Sequence, residues 1–222
     1  MFGDTNLVVD GTLVLVVIFS LVAIAFSHRR SYLLKAEVTR LATEVLRIGA
    51  DRDNHQELSL IDPLTEVANR RAIGLYLQYD MERMSRYPGE YSLMFVDIDR
   101  FKAVNDTRGH ALGDEILLAV AKSLELTFRE SDTVGRYGGD EFVVLLPNAD
   151  LFASKARAED ALKAVRDIGE VYDLDISLSI GIVTVIGGQE ITLKALLDAA
   201  DKGLYCAKNK GGNCWSRGFV EL

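Results

Sequence analysis

The chain has 222 residues, 49% of them apolar, with 33 acidic against 25 basic side chains and a net charge of −8. That is room for one ordinary domain with appendages and ample material for a core, while the acidic balance argues against a general nucleic-acid binder, which presents a basic face. Two cysteines, Cys206 and Cys214, imply no disulfide framework and suit reduced thiols.

In chain order, the first element is apolar throughout. Gly11 to Phe26 holds no charged residue, and extending back to Leu7 admits only Asp10. At about 1.5 Å per residue such a run crosses a bilayer core, so a transmembrane helix is expected at 7–27, after a short external segment at 1–6. His28-Arg29-Arg30 follow at once and Asp4 precedes. The positive-inside tendency therefore sets the N-terminus outside and the rest of the chain in the cytoplasm, as a single-pass protein of the inner membrane. A signal peptide competes through Ala23-Ile24-Ala25, but its basic n-region is missing. Leu34, Val38, Leu41, Val45 and Ile48 then step by four and three, the spacing of a coiled-coil seam. A helical linker is expected over 28–60, either pairing with a second copy or packing on its own domain.

Beyond the linker, Asp62 with Pro63 reads as the start of a helix running through Met84 to the breaker Tyr87-Pro88-Gly89. A strand is expected over Ser92 to Ile98, with Asp97 and Asp99 on one side of it by period two. Asn105 to Gly113 reads as a glycine-punctuated loop, followed by a helix over Gly113 to Phe128. Two strands at Thr133–Tyr137 and Glu141–Leu146 flank Gly138-Gly139, a pair that suits a type I′ hairpin because glycine accepts positive φ. A helix over Leu151–Glu170, a strand over Ile176–Ile186, a helix capped by Thr192 and reaching Lys208, and a short strand in 213–219 complete the series. Strands alternating with helices around an antiparallel hairpin indicate an α+β sandwich.

The chemistry gathers at the hairpin. Without a Cβ, Gly138 and Gly139 let a bulky anion approach the backbone, and Asp140 and Glu141 are hard oxygen donors for a divalent cation that at least one of Asp97 and Asp99 can share. The segment from Asn105 to Asp114 is rich in side chains able to read a base edge.

The residues Asp62-Pro63-Leu64-Thr65, Asn69-Arg70-Arg71, Asp97-Ile98-Asp99, Phe101-Lys102, Asn105-Asp106, Gly109-His110, Gly113-Asp114, Arg136-Tyr137-Gly138-Gly139-Asp140-Glu141-Phe142, Ser179-Ile180-Gly181 and Ala207-Lys208 occur in an order and spacing that resemble the GGDEF-domain diguanylate cyclases. The resemblance covers about Asp62 to Trp215 and implies a catalytic domain at 61–222. It implies a ferredoxin-like nucleotidyl-cyclase palm, an antiparallel central sheet flanked by helices, that condenses two GTP into cyclic di-GMP and two pyrophosphates. By the same resemblance Asp97, the Ile98 carbonyl, Asp140 and Glu141 hold Mg²⁺, with Mn²⁺ as a substitute. Asp140, Glu141 and Lys102 serve the chemistry, with Asp140 the favoured proton acceptor among them. Asn105 and Asp114 read guanine, and Gly138, Gly139 and Lys208 receive the phosphates. Arg129-Glu130-Ser131-Asp132 matches an inhibitory product site, and Phe142 is expected in the core.

Each such domain holds one GTP, so a homodimer is implied, with the anchor and linker bringing two copies together. Two departures stand out: Glu66 where the family usually has glycine, and Gly212 where it has a phosphate-binding arginine, with Lys210 as a candidate substitute. A silent domain that binds GTP or cyclic di-GMP and regulates a partner is the competing expectation.

Overall fold

A computed structural model describes residues 59–86, 89–189 and 191–220. The expected membrane helix at 7–27 and nearly all of the linker at 28–60 lie outside the described residues. Among the described residues no helix is long and apolar enough to cross a membrane.

The elements run β1 (Ala68–Asn69), α1 (Arg70–Arg86), β2 (Glu90–Asp99), α2 (Phe101–Arg108), α3 (His110–Thr127), β3 (Thr133–Gly138), β4 (Glu141–Pro147), α4 (Leu151–Tyr172), β5 (Ser177–Ile186), α5 (Leu193–Asn209) and β6 (Cys214–Arg217). They build one six-stranded sheet in the order β1-β3-β4-β2-β5-β6. The four middle strands are antiparallel, as expected, but both outer pairs, β1 with β3 and β5 with β6, are parallel. The sheet is thus mixed. Its inner unit, β2 followed by helices, the β3–β4 hairpin, α4 and β5, has the βαββαβ order of a ferredoxin-like palm.

Alternation along β2 assigns the two faces. Met94, Val96 and Ile98 join Ile116, Val120 and Leu124 of α3 and Ala158, Leu162 and Val165 of α4 in one core. Tyr91, Leu93 and Phe95 pack with Ile73 and Leu77 of α1 and Leu196, Ala200 and Leu204 of α5 in the other. Buried on both faces from Tyr91 to Ile98, β2 is apolar there except at Ser92 and Asp97. Phe142, fully buried, anchors the hairpin in the first core.

Two expectations at the front of the domain fail for local reasons. Asp62 does not open a helix. Its Oδ1 accepts from Leu64 N (3.3 Å), Thr65 N (2.9 Å) and Thr65 Oγ1 (2.7 Å), closing a short turn. Glu66 then adopts φ 60°, which ends any helical run. The helix begins at Arg70, with Asn69 Oδ1 accepting from Ala72 N (3.0 Å). The segment read as a loop from Asn105 to Gly113 is instead helical on both sides of Gly109: Phe101 and Val104, three apart, bury one face of α2, and Gly109 at φ 86° turns the chain into α3. Further along the chain the reading is close. Thr192 Oγ1 accepts from Ala195 N (3.1 Å) and caps α5 as expected, and Asp150 does the same for α4 through Ala153 N (2.6 Å).

Candidate active site

The glycine turn differs in detail from the expected one. Gly138 pairs with Glu141, so the two central residues are Gly139 and Asp140, and only Gly139 has positive φ (54°). The turn is therefore not type I′ on Gly138-Gly139. A ladder irregularity between Arg136 and Gly138 makes Tyr137 the extra residue of a bulge. A Cβ on Gly138 or Gly139 would meet nothing within 4 Å. The turn is open on that side, as a site for a large anion requires.

Directly beneath it, Asp97 and Glu141 are opposite partners on β2 and β4. Lys208, in the last turn of α5, sets its Nζ 2.7 Å from Asp97 Oδ2. The close seating of α5 on β5 makes this reach possible: a Cβ on Gly203 would stand 2.9 Å from the Ser216 carbonyl oxygen and 3.1 Å from Gly181 Cα. Burial pushes the Asp97 carboxyl above the ordinary carboxylate range, and the charges of Asp140 and Asp99 add to this while Lys208 opposes it. Glu141 is raised too, by burial first and then by Asp97 and Asp140, again against Lys208. Asp140 lies in the turn, and its carbonyl accepts from Ile98 N (3.3 Å).

Asp97 and Glu141 therefore have the Lys208 ammonium group to offset them, with the charge of Asp140 added in the turn. Their hard oxygens and excess negative charge suit Mg²⁺ or Mn²⁺, although no three such groups among the described residues converge on one point as they stand.

Asp99, equivalent to Asp97 by strand period, is occupied otherwise. Ser177 and Ser179 each donate a hydroxyl to it at 2.6 Å, and Asn213 N donates at 2.9 Å. Gly211, Gly212 and Asn213 take φ of 106°, 78° and 49° to wrap around it. A Cβ on Gly212 would stand 2.7 Å from Asp99 Oδ2. An arginine cannot replace Gly212 without rebuilding this loop. Lys210, the candidate substitute, donates its Nζ to Ser216 Oγ (2.7 Å).

Asn105 on α2 is half-buried and Asp114 on α3 is exposed. The helical turn at Gly109 brings these two helices together, and neither polar side chain has a hydrogen-bond partner among the described residues. Lys102, the second residue of α2, is exposed and makes no ion pair among them.

Arg129 and Asp132 stand apart from this cluster, at the opposite end of β3 from the glycine turn. Six strand residues at about 3.3 Å each separate the ends by roughly 20 Å. Asp132 Oδ2 accepts from Arg129 N (2.9 Å) within the turn, and the exposed Arg129 borders a groove of about 340 Å³ lined also by Ile61, Glu66, Tyr76 and Phe128.

Arg136 is a residue whose role the sequence did not disclose. Its NH1 lies 3.1 Å from Asp62 Oδ1 and its Nε donates to the Gly139 carbonyl at 2.9 Å, so one guanidinium ties the first turn of the domain to the glycine turn. The only signal was an arginine two residues before Gly138. Tyr137 beside it packs edge-on against Phe95 (5.1 Å) and under the Arg70 guanidinium (4.4 Å).

Residues 59–214 match the family model described as diguanylate cyclase, GGDEF domain. MucR of Pseudomonas aeruginosa, a bifunctional diguanylate cyclase/cyclic di-GMP phosphodiesterase, is 36% identical over 205 residues, 90% of this chain and 29% of that protein. The probable diguanylate cyclase DgcC of Escherichia coli is 34% identical over 161 residues, 71% of this chain and 43% of that one. The chain thus spans less than half the length of these curated relatives. The crystal structure of the coiled coil and GGDEF domain of DgcB from Caulobacter crescentus in complex with c-di-GMP superposes with a TM-score of 0.65 at 25% identity, over 83% of this chain and 99% of that one. With the family model matching well over half of its length, the chain belongs to the GGDEF diguanylate cyclase domain family.

Proposed function

We propose that the domain is a diguanylate cyclase, which joins two GTP molecules into cyclic di-GMP and releases two pyrophosphates. The observation that carries this is the electrostatic imbalance at an open glycine turn: Asp97 and Glu141, both raised, with the charge of Asp140 beside them and Lys208 opposing. A binding scaffold has no need for carboxylates held above their ordinary range. A site that must receive cations together with phosphate does. The relatives named as diguanylate cyclases and the neighbour bound to c-di-GMP support the same activity.

In each half-reaction the 3′-oxygen of one GTP bonds to the α-phosphorus of the other, the bond from that phosphorus to the β-phosphate bridging oxygen breaks, and the hydroxyl proton leaves. Asp97, the Ile98 carbonyl, Asp140 and Glu141 would hold Mg²⁺, or Mn²⁺ in its place, which would supply phosphate neutralisation and a lowered hydroxyl pKa. A carboxylate of this cluster takes up the released proton in this reading, with Asp140 the favoured acceptor. Lys102 and Lys208 compensate the remaining phosphate charge, Lys208 by exchanging Asp97 for substrate. Asn105 and Asp114 hold guanine, the carboxylate accepting from N1–H and the 2-amino group. Adenine, with an acceptor at N1, faces that carboxylate unfavourably.

One domain holds one GTP, so a homodimer completes the reaction. A single-pass anchor at 7–27 in the inner membrane and a coiled-coil linker at 28–60 raise the effective concentration of the second copy. Arg129 and Asp132 bind cyclic di-GMP and restrain turnover from the far end of β3.

The test is the full chain in detergent with GTP and Mg²⁺, assayed for cyclic di-GMP beside Asp140→Ala. Product from the parent alone supports the enzyme, and GTP binding without product from either supports a silent receptor. Initial rates that added cyclic di-GMP leaves unchanged in parent and Arg129→Ala alike would remove the inhibitory site.

A further inference from the structure

Gly113 stands in the first turn of α3, where glycine is disfavoured relative to alanine. It is buried, and its φ is not in the left-handed region, so backbone conformation does not call for glycine here. Space does. A Cβ at this position would overlap Asn105 Oδ1, stand 3.0 Å from Asn105 Cγ and 3.3 Å from Phe101 Cζ. The Asn105 side chain therefore lies in the notch that Gly113 leaves in the side of α3. Two backbone bonds frame the notch: Gly109 N donates to the Asn105 carbonyl (3.0 Å), and Gly113 N donates to the Gly109 carbonyl (3.3 Å). The next residue along is Asp114.

We infer that Gly113 is a specificity-determining positioning residue: by its missing side chain it fixes the Asn105 amide beside the Asp114 carboxylate, so that groups from two helices meet a guanine edge as one unit. The inference rests on the guanine assignment made above for Asn105 and Asp114. Its physical content is geometric. Asn105 has no hydrogen-bond partner among the described residues to hold its amide, so its rotamer is set by packing, and the packing surface is Gly113. A methyl group there displaces the amide from the notch while leaving Asp114 on the same helical turn. The base is then read by the carboxylate alone, and discrimination between guanine and adenine falls.

The experiment measures dissociation constants of the full chain for the α,β-methylene analogues of GTP and ATP, which bind without turnover, in the parent, Gly113→Ala, Asn105→Ala and the double variant, with thermal unfolding of each. Gly113→Ala is expected to weaken the guanine analogue about tenfold and leave the adenine analogue unchanged. Asn105→Ala is expected to do the same. The double variant is expected to match Asn105→Ala, because with the amide gone the methyl group has nothing to displace. Asn105→Gln gives a check in which Gly113 is intact: the amide, one methylene further out, no longer seats in the notch, and the tenfold loss recurs.

Losses that add in the double variant, or fall equally on both analogues, would overturn the role of Gly113. So would full guanine affinity in Asn105→Gln, which also decides the matter if Gly113→Ala does not fold. A parent that prefers neither analogue overturns the guanine assignment itself, and is told apart because it shows in the unsubstituted chain.

Discussion

Two carboxylate neighbourhoods lie within one arginine of each other and are built to opposite rules. At the first turn, Asp62 is met by two backbone N–H groups, a threonine hydroxyl and Arg136. Burial alone would raise its pKa, but the bonds from Thr65 and the Arg136 guanidinium outweigh it and hold the carboxyl below its ordinary value. At the glycine turn, Asp97 and Glu141 are also withdrawn from water, yet Lys208 is offset at Asp97 by the charges of Asp140 and Asp99 and at Glu141 by those of Asp97 and Asp140, and both are raised. Satisfied charge belongs to the fold. Unsatisfied charge, kept in place by a well-packed sheet, belongs to the chemistry.

The comparison breaks most visibly if a substitution at the glycine turn leaves activity intact. Glu141→Gln is expected to lower cyclic di-GMP formation on the order of 10²–10³-fold, while metal-free stability holds or rises by a few tenths of a kcal/mol, since the group is partly solvated. The sign follows from its raised pKa: the native state binds the proton more readily than the unfolded chain, so metal-free stability rises as pH falls through that raised value. Chemical denaturation of parent and variant in EDTA across pH 4–7 reads it.

Arg136→Ala removes both links of the guanidinium and leaves Asp62 short of its ionic partner. It is expected to lower stability by about 2 kcal/mol, measured by urea unfolding, and to lower turnover as well because the Gly139 carbonyl loses its donor.

Asp62→Asn is the mirror of Glu141→Gln. It is expected to cost about 1 kcal/mol and to leave the affinity for GTP near that of the parent. Because the folded pKa is depressed, the stabilisation of the parent is fully present above the ordinary value of 3.8 and is lost as pH falls through the lowered one. Parent and variant should therefore converge in acid. A gap that persists there would assign the cost to packing.

The smallest effect sharpens the same turn. Glu66 holds φ 60° with an exposed side chain, so Glu66→Gly relieves left-handed strain and is expected to add about 0.5–1 kcal/mol, seen as a raised Tm with activity unchanged.

Several of these features are legible in the residues alone. The hairpin, the buried Phe142 and the Thr192 cap follow from alternation and local capping rules, which act over a few residues. Misreadings arise where a local signal has a distant or competing partner. Asp62 carries the pattern of a helix cap, but its carboxylate closes a turn and meets Arg136, 74 residues away in sequence. The run from Asn105 to Gly113 is polar enough for a loop, yet Phe101 and Val104 find a buried face and carry the helix into it. Gly212 stands where the family has an arginine, and the room it gives to Asp99 is set by a partner 113 residues away that no local pattern shows.

By itself, then, the sequence determined the strands and helices from Gly113 onward, the place of the glycine turn and the inventory of acids, amide and lysines, because residue type and short-range periodicity specify these. Only the tertiary structure decided which of two acids on one strand stays available. Asp97 and Asp99 are indistinguishable by period, and what separates them is that β5 and the α5–β6 loop bring two hydroxyls and a backbone N–H to one, while α5 brings a single ammonium to the other. Donors that arrive from 78, 80 and 114 residues away are placed by packing, and no local pattern encodes them.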